Sequence, residues 1–247
     1  MRHAVAITKN IQIASAAMEA VGARAPGMPG LVLMTGLTGF GKSTAMAFLA
    51  NQNDALHLRA WPTWTPMAML RSLAEEVGVS PRSNCDANLR EIVKALAQNP
   101  ARALFIDEAD YLADKRVLLE TLRSLHDVTT TPIVLVGMDQ FKKTLIRRDD
   151  QLTNRISQWV EFKRADLDDA RALAEKCCEV GIGDDLLAKL RDAVGGSMRG
   201  LVVGMARIEQ FARRKGIKKV GAEEWGERPF VLADLRKRGS GPEEERK

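Results

Sequence analysis

Eight residues early in the chain, Gly36-Leu37-Thr38-Gly39-Phe40-Gly41-Lys42-Ser43, follow the spacing G-x-x-x-x-G-K-[ST], with Thr44 next. Glycines let successive backbone N–H groups curl around a polyphosphate, while the helix that follows turns its positive end toward the same charge. In such a cradle Lys42 reaches the β- and γ-phosphates and Ser43 offers its hydroxyl to Mg²⁺. Farther on, Asp107 and Glu108 close the apolar run ALFID. A carboxylate at a strand end can hold magnesium through its water shell, and its neighbour can polarise an attacking water. The two motifs call for ATP with Mg²⁺, and the acidic pair favours hydrolysis over transfer to a small acceptor.

The surrounding pattern supplies elements to position these groups. Ile7, Ile11, Ala14, Met18 and Val21 recur at helical spacing and predict a first helix ending at Gly22. LVLMT then reads as a strand, the glycine loop follows, and a helix runs through Leu49. ALHLRA, ALFID, IVLVG and WVEFK read as further strands, with helices expected near residues 67–77, 87–98 and 115–127. This alternation implies an α/β fold, a parallel sheet covered by helices on both faces. After Asp166 the pattern is helical, with no strand signal. The expected organisation is an α/β nucleotide-binding domain over 1–165 with its N-terminal helix, a small all-helical lid with a basic segment over 166–238, and a disordered tail over 239–247.

Composition narrows the class. The 247 residues are 45% hydrophobic and 28% charged, which fits a globular chain rather than a disordered one. Cys85, Cys177 and Cys178 form neither a disulfide framework nor a zinc pattern, so packing in a reducing, cytoplasmic setting is expected. No apolar run approaches the roughly 20 residues that span a bilayer, and the first residues lack the apolar core of a signal peptide. The net charge of +5 suits a polyanionic partner. Arg207, Arg213, Arg214, Lys215, Lys218, Lys219, Arg236, Lys237 and Arg238 gather late in the chain, as a solvated face or a nucleic-acid surface.

GLTGFGKST, LFIDEAD, IVLVGMD, QLTNRIS and GGSMRGL, taken together over about Ala6 to Lys215, resemble an AAA+ ATPase. The similarity is to the branch containing phage Mu transposition protein B and related transposon target-selection ATPases. It implies an AAA+ P-loop fold with a helical lid, encoded by a phage or mobile element and working in the cytoplasm of a bacterial host. It also implies ATP-dependent, largely sequence-nonspecific binding of double-stranded DNA, assembly into a helical filament or ring, and delivery of target DNA to a transposase. Residues 36–44 and Arg199 would bind nucleotide, with Arg199 sensing it from the lid. Arg155 would be the arginine finger acting on a neighbouring subunit, with Arg147 and Arg148 as competitors for that role.

The sequence departs from the family at Gly137-Met138-Asp139, where a polar Asn, Ser or Thr is usual, and Asp139 is the available substitute. No separate helix-turn-helix segment is legible, so DNA contact is expected from the ATPase domain, at Arg59, Lys115 and Arg116. Trp61 and Trp64 join that region either as DNA-facing aromatics or as packing and subunit contacts. Two other classes stay open: an AAA+ ATPase that remodels proteins, as in a secretion apparatus, without binding DNA, and a small-molecule kinase.

Overall fold

The computed structural model describes every residue except His3, Pro26 and residues 232–247. Arg236, Lys237, Arg238 and the expected tail thus lie outside the described residues. The chain divides into two compact units.

The first unit, Asn10–Leu37 with Lys42–Phe162, is α/β. Its elements begin with α1 (Lys9–Gly22), β1 (Leu31–Thr35), α2 (Lys42–Gln52), β2 (Leu56–Arg59), α3 (Pro66–Glu76) and α4 (Cys85–Gln98). β3 (Leu104–Asp107), a 3-10 turn (Ala109–Leu112), α5 (Arg116–Thr129), β4 (Ile133–Val136), α6 (Asp139–Arg148), α7 (Asp150–Thr153) and β5 (Ile156–Glu161) complete it. The sheet order is β2-β3-β4-β1-β5, and every pairing is parallel.

Burial explains that order. LVLMT and IVLV are buried at every position, and LFID at all but Asp107, as strands covered on both faces must be. The flanking strands, LHLR and ISQWVE, mix exposed and buried positions and take the edges. Leu31, Leu33, Ile106 and Leu135 pack with Leu119, Leu122 and Phe141 in one core. Thr65 and Asn84 cap α3 and α4 through their side-chain oxygens, and Pro66 occupies the first helical position. Because all five strands run the same way, the segments following β1, β3 and β4 leave from one edge of the sheet, the edge where ligands bind in open parallel sheets.

The second unit holds Met1–Lys9, Thr38–Gly41 and the described chain from Lys163 on. It contains α8 (Leu167–Cys177), β6 (Gly181–Ile182), α9 (Asp184–Ala193), α10 (Met198–Lys215), β7 (Lys219–Val220) and α11 (Ala222–Trp225). Its core includes Leu173, Leu186, Leu190, Leu201, Met205, Ile208 and Trp225. Asp166 and Asp169 form a capping box at the start of α8.

Several expectations need correction. β6 and β7 pair in parallel although no strand was expected after Asp166; two residues are too few to show a period of two. The first helix starts at Lys9, and Ile7 is 48% exposed rather than part of an apolar face. Residues 1–9 belong with the helices, not with the α/β domain. Ala6 packs into the helical core, Cys177 Sγ contacts Ala4 O at 3.2 Å, and Lys9 pairs with Asp166 and, at 3.1 Å, with Asp168. Cys177 and Cys178 are buried and free, and burial pushes the Cys178 thiol up to about 11, away from reactivity. Among the described residues no helix is long and apolar enough to cross a membrane.

Candidate nucleotide site

The loop after β1 has a backbone that its glycines make available. Gly36, Gly39 and Gly41 take φ of +153°, +86° and +88°, a region costly for residues bearing a Cβ. At Gly36 space is also short: a Cβ there would lie 2.8 Å from Phe162 O. Lys42 opens α2 and its Nζ donates to Gly36 O at 2.6 Å and Leu37 O at 3.0 Å. Leu37, Ser43 and Thr44 are exposed, the last two on the first turn of α2, and Phe40 is buried. Within the helical unit, Gly39 O of the loop apex accepts from Arg199 N at 3.1 Å and Ser197 Oγ at 3.4 Å. The Arg199 side chain is exposed.

The acidic end of β3 leaves from the same sheet edge. Asp107 ends the strand, and its Oδ1 accepts from Glu108 N at 2.9 Å. Glu108 then adopts φ 54° and ψ 37°, a left-handed conformation uncommon for a residue with a side chain. Its Oε1 lies 3.4 Å from Arg59 Nη2. Both side chains are well exposed, so this pair orients the carboxylate and contributes little stability.

Asp110, which the sequence reading passed over, proves central. Its carboxylate accepts from Met138 N at 3.0 and 3.1 Å, tying the 3-10 turn to the start of α6. Burial holds the Lys42 ammonium below the usual lysine range, and Asp110, Asp139, Asp107 and Glu108, in that order, pull the other way. The charges of four carboxylates thus all favour the ammonium form of one lysine. The visible signal was the spacing Asp107-Glu108-Ala109-Asp110, three acids within four residues.

Other anticipated residues lie elsewhere. Arg155 immediately precedes β5, and its carbonyl accepts from Leu31 N at 3.1 Å, at the opposite edge of the sheet from the loop. Five strand residues separate the two edges, roughly 16 Å at 3.3 Å per residue, so Arg155 does not reach the phosphate loop of its own chain. Its Nε pairs with Asp127 Oδ1 at 2.9 Å. Arg147 is exposed at the end of α6, and Arg148 pairs with Asp114.

The tryptophans divide. Trp64 is 5% exposed and packs in the core, whereas Trp61 is 54% exposed with the Arg59 guanidinium over its ring at 5.5 Å. Lys115 caps α5 and donates to Pro62 O at 2.5 Å and Trp64 O at 2.9 Å, so it holds the tryptophan loop. Arg116 is exposed and pairs with Glu120 at 2.7 Å.

Comparison with known proteins places this architecture. Residues 27–145 match the family described as AAA domain. No curated protein sequence matches the chain. Among solved structures, the chain is similar to the Aeropyrum pernix ORC2 protein in its ADPNP-ADP complexes (15% identity, TM-score 0.69), covering 91% of this chain and 68% of that one. It is also similar to the Aeropyrum pernix ORC1 protein in complex with DNA (19%, 0.58), over 92% of this chain and 63% of that one. A third likeness is to the Thermotoga maritima RuvB Holliday junction branch migration motor (16%, 0.59), over 94% and 69%. The chain thus spans about two thirds of the length of these structures. At such identities the shared property is the fold: a parallel five-stranded sheet flanked by helices, of AAA+ P-loop type, as the sequence implied.

Proposed function

We propose that the chain is an ATP-hydrolysing AAA+ protein that binds duplex DNA. The observation that carries the hydrolytic reading is the glycine-shaped loop with Lys42 at its base, together with the acidic end of β3 that leaves from the same sheet edge. In this reading the loop's backbone N–H groups and Lys42 bind the triphosphate. Ser43 and Asp107, one hydroxyl and one carboxylate, are the sparse oxygen set that Mg²⁺ uses when waters and phosphates complete its shell, and they fit it. Bound there, the ion would spread the charge of the β- and γ-phosphates. Glu108 accepts the proton of the attacking water, and Arg199 senses the nucleotide. Arg155, too far from its own loop, supplies its charge to a neighbour's phosphate, so activity depends on self-assembly into a ring or filament.

DNA as partner is supported by the net charge of +5 and by the exposed Arg59, Trp61 and Arg116. Arg59 also touches Glu108, which puts a DNA-facing cation beside the hydrolytic carboxylate. Lys115 acts on DNA indirectly, by holding the loop that presents Trp61. Delivery of DNA to a transposase remains part of this reading, on the strength of the sequence resemblance alone.

Duplex binding measured by fluorescence anisotropy tests the proposal. ATP should raise affinity, binding should show little sequence preference, and each neutralised phosphate should add about 0.9 to the slope of log affinity against log salt. Replacing Arg59 and Arg116 together with Ala should flatten that slope and leave nucleotide binding intact. Absence of duplex binding at low salt, with ATP turnover present, would replace DNA by protein remodelling as the function.

A further inference from the structure

The end of β4 presents no side chain of its own at Gly137, yet a polar group stands there. A Cβ built on Gly137 would lie 3.0 Å from Asp110 Oδ2 and 3.4 Å from its Cγ. Phe141 Cδ1 lies equally close, at 3.0 Å, so the carboxylate of Asp110, arriving from the 3-10 turn after β3, walls one side of the space that a side chain at position 137 would enter. Both of its oxygens accept from Met138 N, at 3.0 and 3.1 Å. Met138 is the extended residue that starts α6, its carbonyl accepts from Phe141 N at 3.0 Å, and Asp139 is the first helical residue. A single side chain thus fixes the turn between β4 and α6 against the acidic end of β3, and with it the direction in which Asp139 leaves the sheet.

We propose that Asp110 is a positioning residue that locks the β4–α6 turn to the end of β3, setting the phosphate-side geometry required for hydrolysis but not for nucleotide binding. The proposal rests on the ATPase reading above and adds the device that aligns it. Three features support it. The hydrogen bond is charge-assisted and joins two separate strand ends, so losing it frees one relative to the other. Asp110 lies on the 3-10 turn that follows β3, at the sheet edge from which the glycine loop also leaves, and its charge favours the ammonium form of Lys42. Gly137 supplies the room, and any larger residue there presses on both Asp110 and Phe141.

The test compares wild type, Asp110→Ala, Asp110→Asn, Gly137→Ala and the double variant Gly137→Ala/Asp110→Ala, reading kcat for ATP, Kd for a fluorescent ADP, and Tm. Asp110→Ala should lower kcat by about 10²-fold, the scale expected when a reacting group is misplaced by about 1 Å, with Kd unchanged. Asp110→Asn keeps an oxygen that accepts from Met138 N–H and should recover most of kcat. Gly137→Ala should also lower kcat, and in the double variant its added effect should shrink, because Asp110, one of the two side chains it presses on, is already gone and only Phe141 is left.

A fall in Kd affinity and Tm matching the fall in kcat would mark Asp110 as structural and overturn the proposal. Asp110→Asn behaving like Asp110→Ala would overturn it in favour of a charge effect on Lys42, and additive Gly137 and Asp110 effects would overturn it by showing that a side chain at position 137 does not press on Asp110. Wild-type kcat indistinguishable from Lys42→Ala would instead remove the ATPase reading itself, and this inference with it.

Discussion

The two edges of the α/β unit's sheet are built in opposite ways. At the edge where β1 and β3 end, the groups come from short contiguous stretches: residues 36–44 form the loop and residues 107–110 the acidic cluster. At the other edge most of the interactions join residues far apart in sequence. His126 Nε2 accepts from Gly30 N at 3.1 Å while its Nδ1 meets Thr131 O at 2.8 Å, Arg24 reaches Thr130 O, and Arg155 pairs with Asp127. The first edge is shaped for a ligand that carries charge to it. The second pairs its charged groups within the chain, with Arg155 half-exposed and Thr131 Oγ1 buried without a hydrogen-bond partner among the described residues.

That contrast is broken most severely at Arg155. If its outward charge serves a neighbouring subunit, Arg155→Ala should depress ATP turnover by roughly 10³–10⁵, the range found for arginine fingers, while each subunit still binds ATP. Mixing Arg155→Ala with Lys42→Ala subunits should restore part of the activity, since each supplies what the other lacks. No recovery at any ratio, with assembly intact, would return Arg155 to a purely local pairing with Asp127, and Arg147 would be the next residue to replace.

A smaller effect comes from His126. Because Nε2 accepts a backbone N–H, the ring is neutral and carries its proton on Nδ1. Burial keeps its folded-state pKa below the usual 6.5, with Arg24 and Arg155 pulling the same way and the Thr131 carbonyl and Asp127 opposing. Between those two values the unfolded chain binds more protons than the folded one. The contribution is therefore complete above about pH 6.5 and lost as pH falls toward the folded value. Urea midpoints measured from pH 7.5 downward should drop below pH 6.5 in wild type, and less steeply in His126→Gln. Equal slopes would mean that this imidazole titrates freely and the far edge is not locked as described.

Legibility follows the same divide. The loop motif, the acidic pair and the three apolar central strands are local patterns, and residues 31–43 and 104–108 declared their conformation. The far edge was illegible because nothing near His126 in sequence points to Gly30, and nothing near Arg155 points to Asp127. Asp110 fell between the cases. It stands in the visible acidic run, but its role depends on a glycine and a backbone N–H that the fold brings to it from β4. Lys115 looked like a free cation at a helix start, and only the tertiary path of residues 62–64 reveals its carbonyl partners. Residues 1–9 were assigned by chain proximity, whereas contacts with Asp166, Asp168 and Cys177 group them with the helices.

If the first edge binds ATP through Lys42 and hydrolyses it through Glu108, the two steps separate in one paired measurement. ATP affinity and steady-state turnover are determined for wild type, Lys42→Ala and Glu108→Gln at the same protein concentration. Lys42→Ala should lose binding and turnover together, whereas Glu108→Gln should bind ATP as wild type does but cease to hydrolyse it, because the amide fits the site yet accepts no proton. Wild-type turnover in either variant would contradict that assignment of roles.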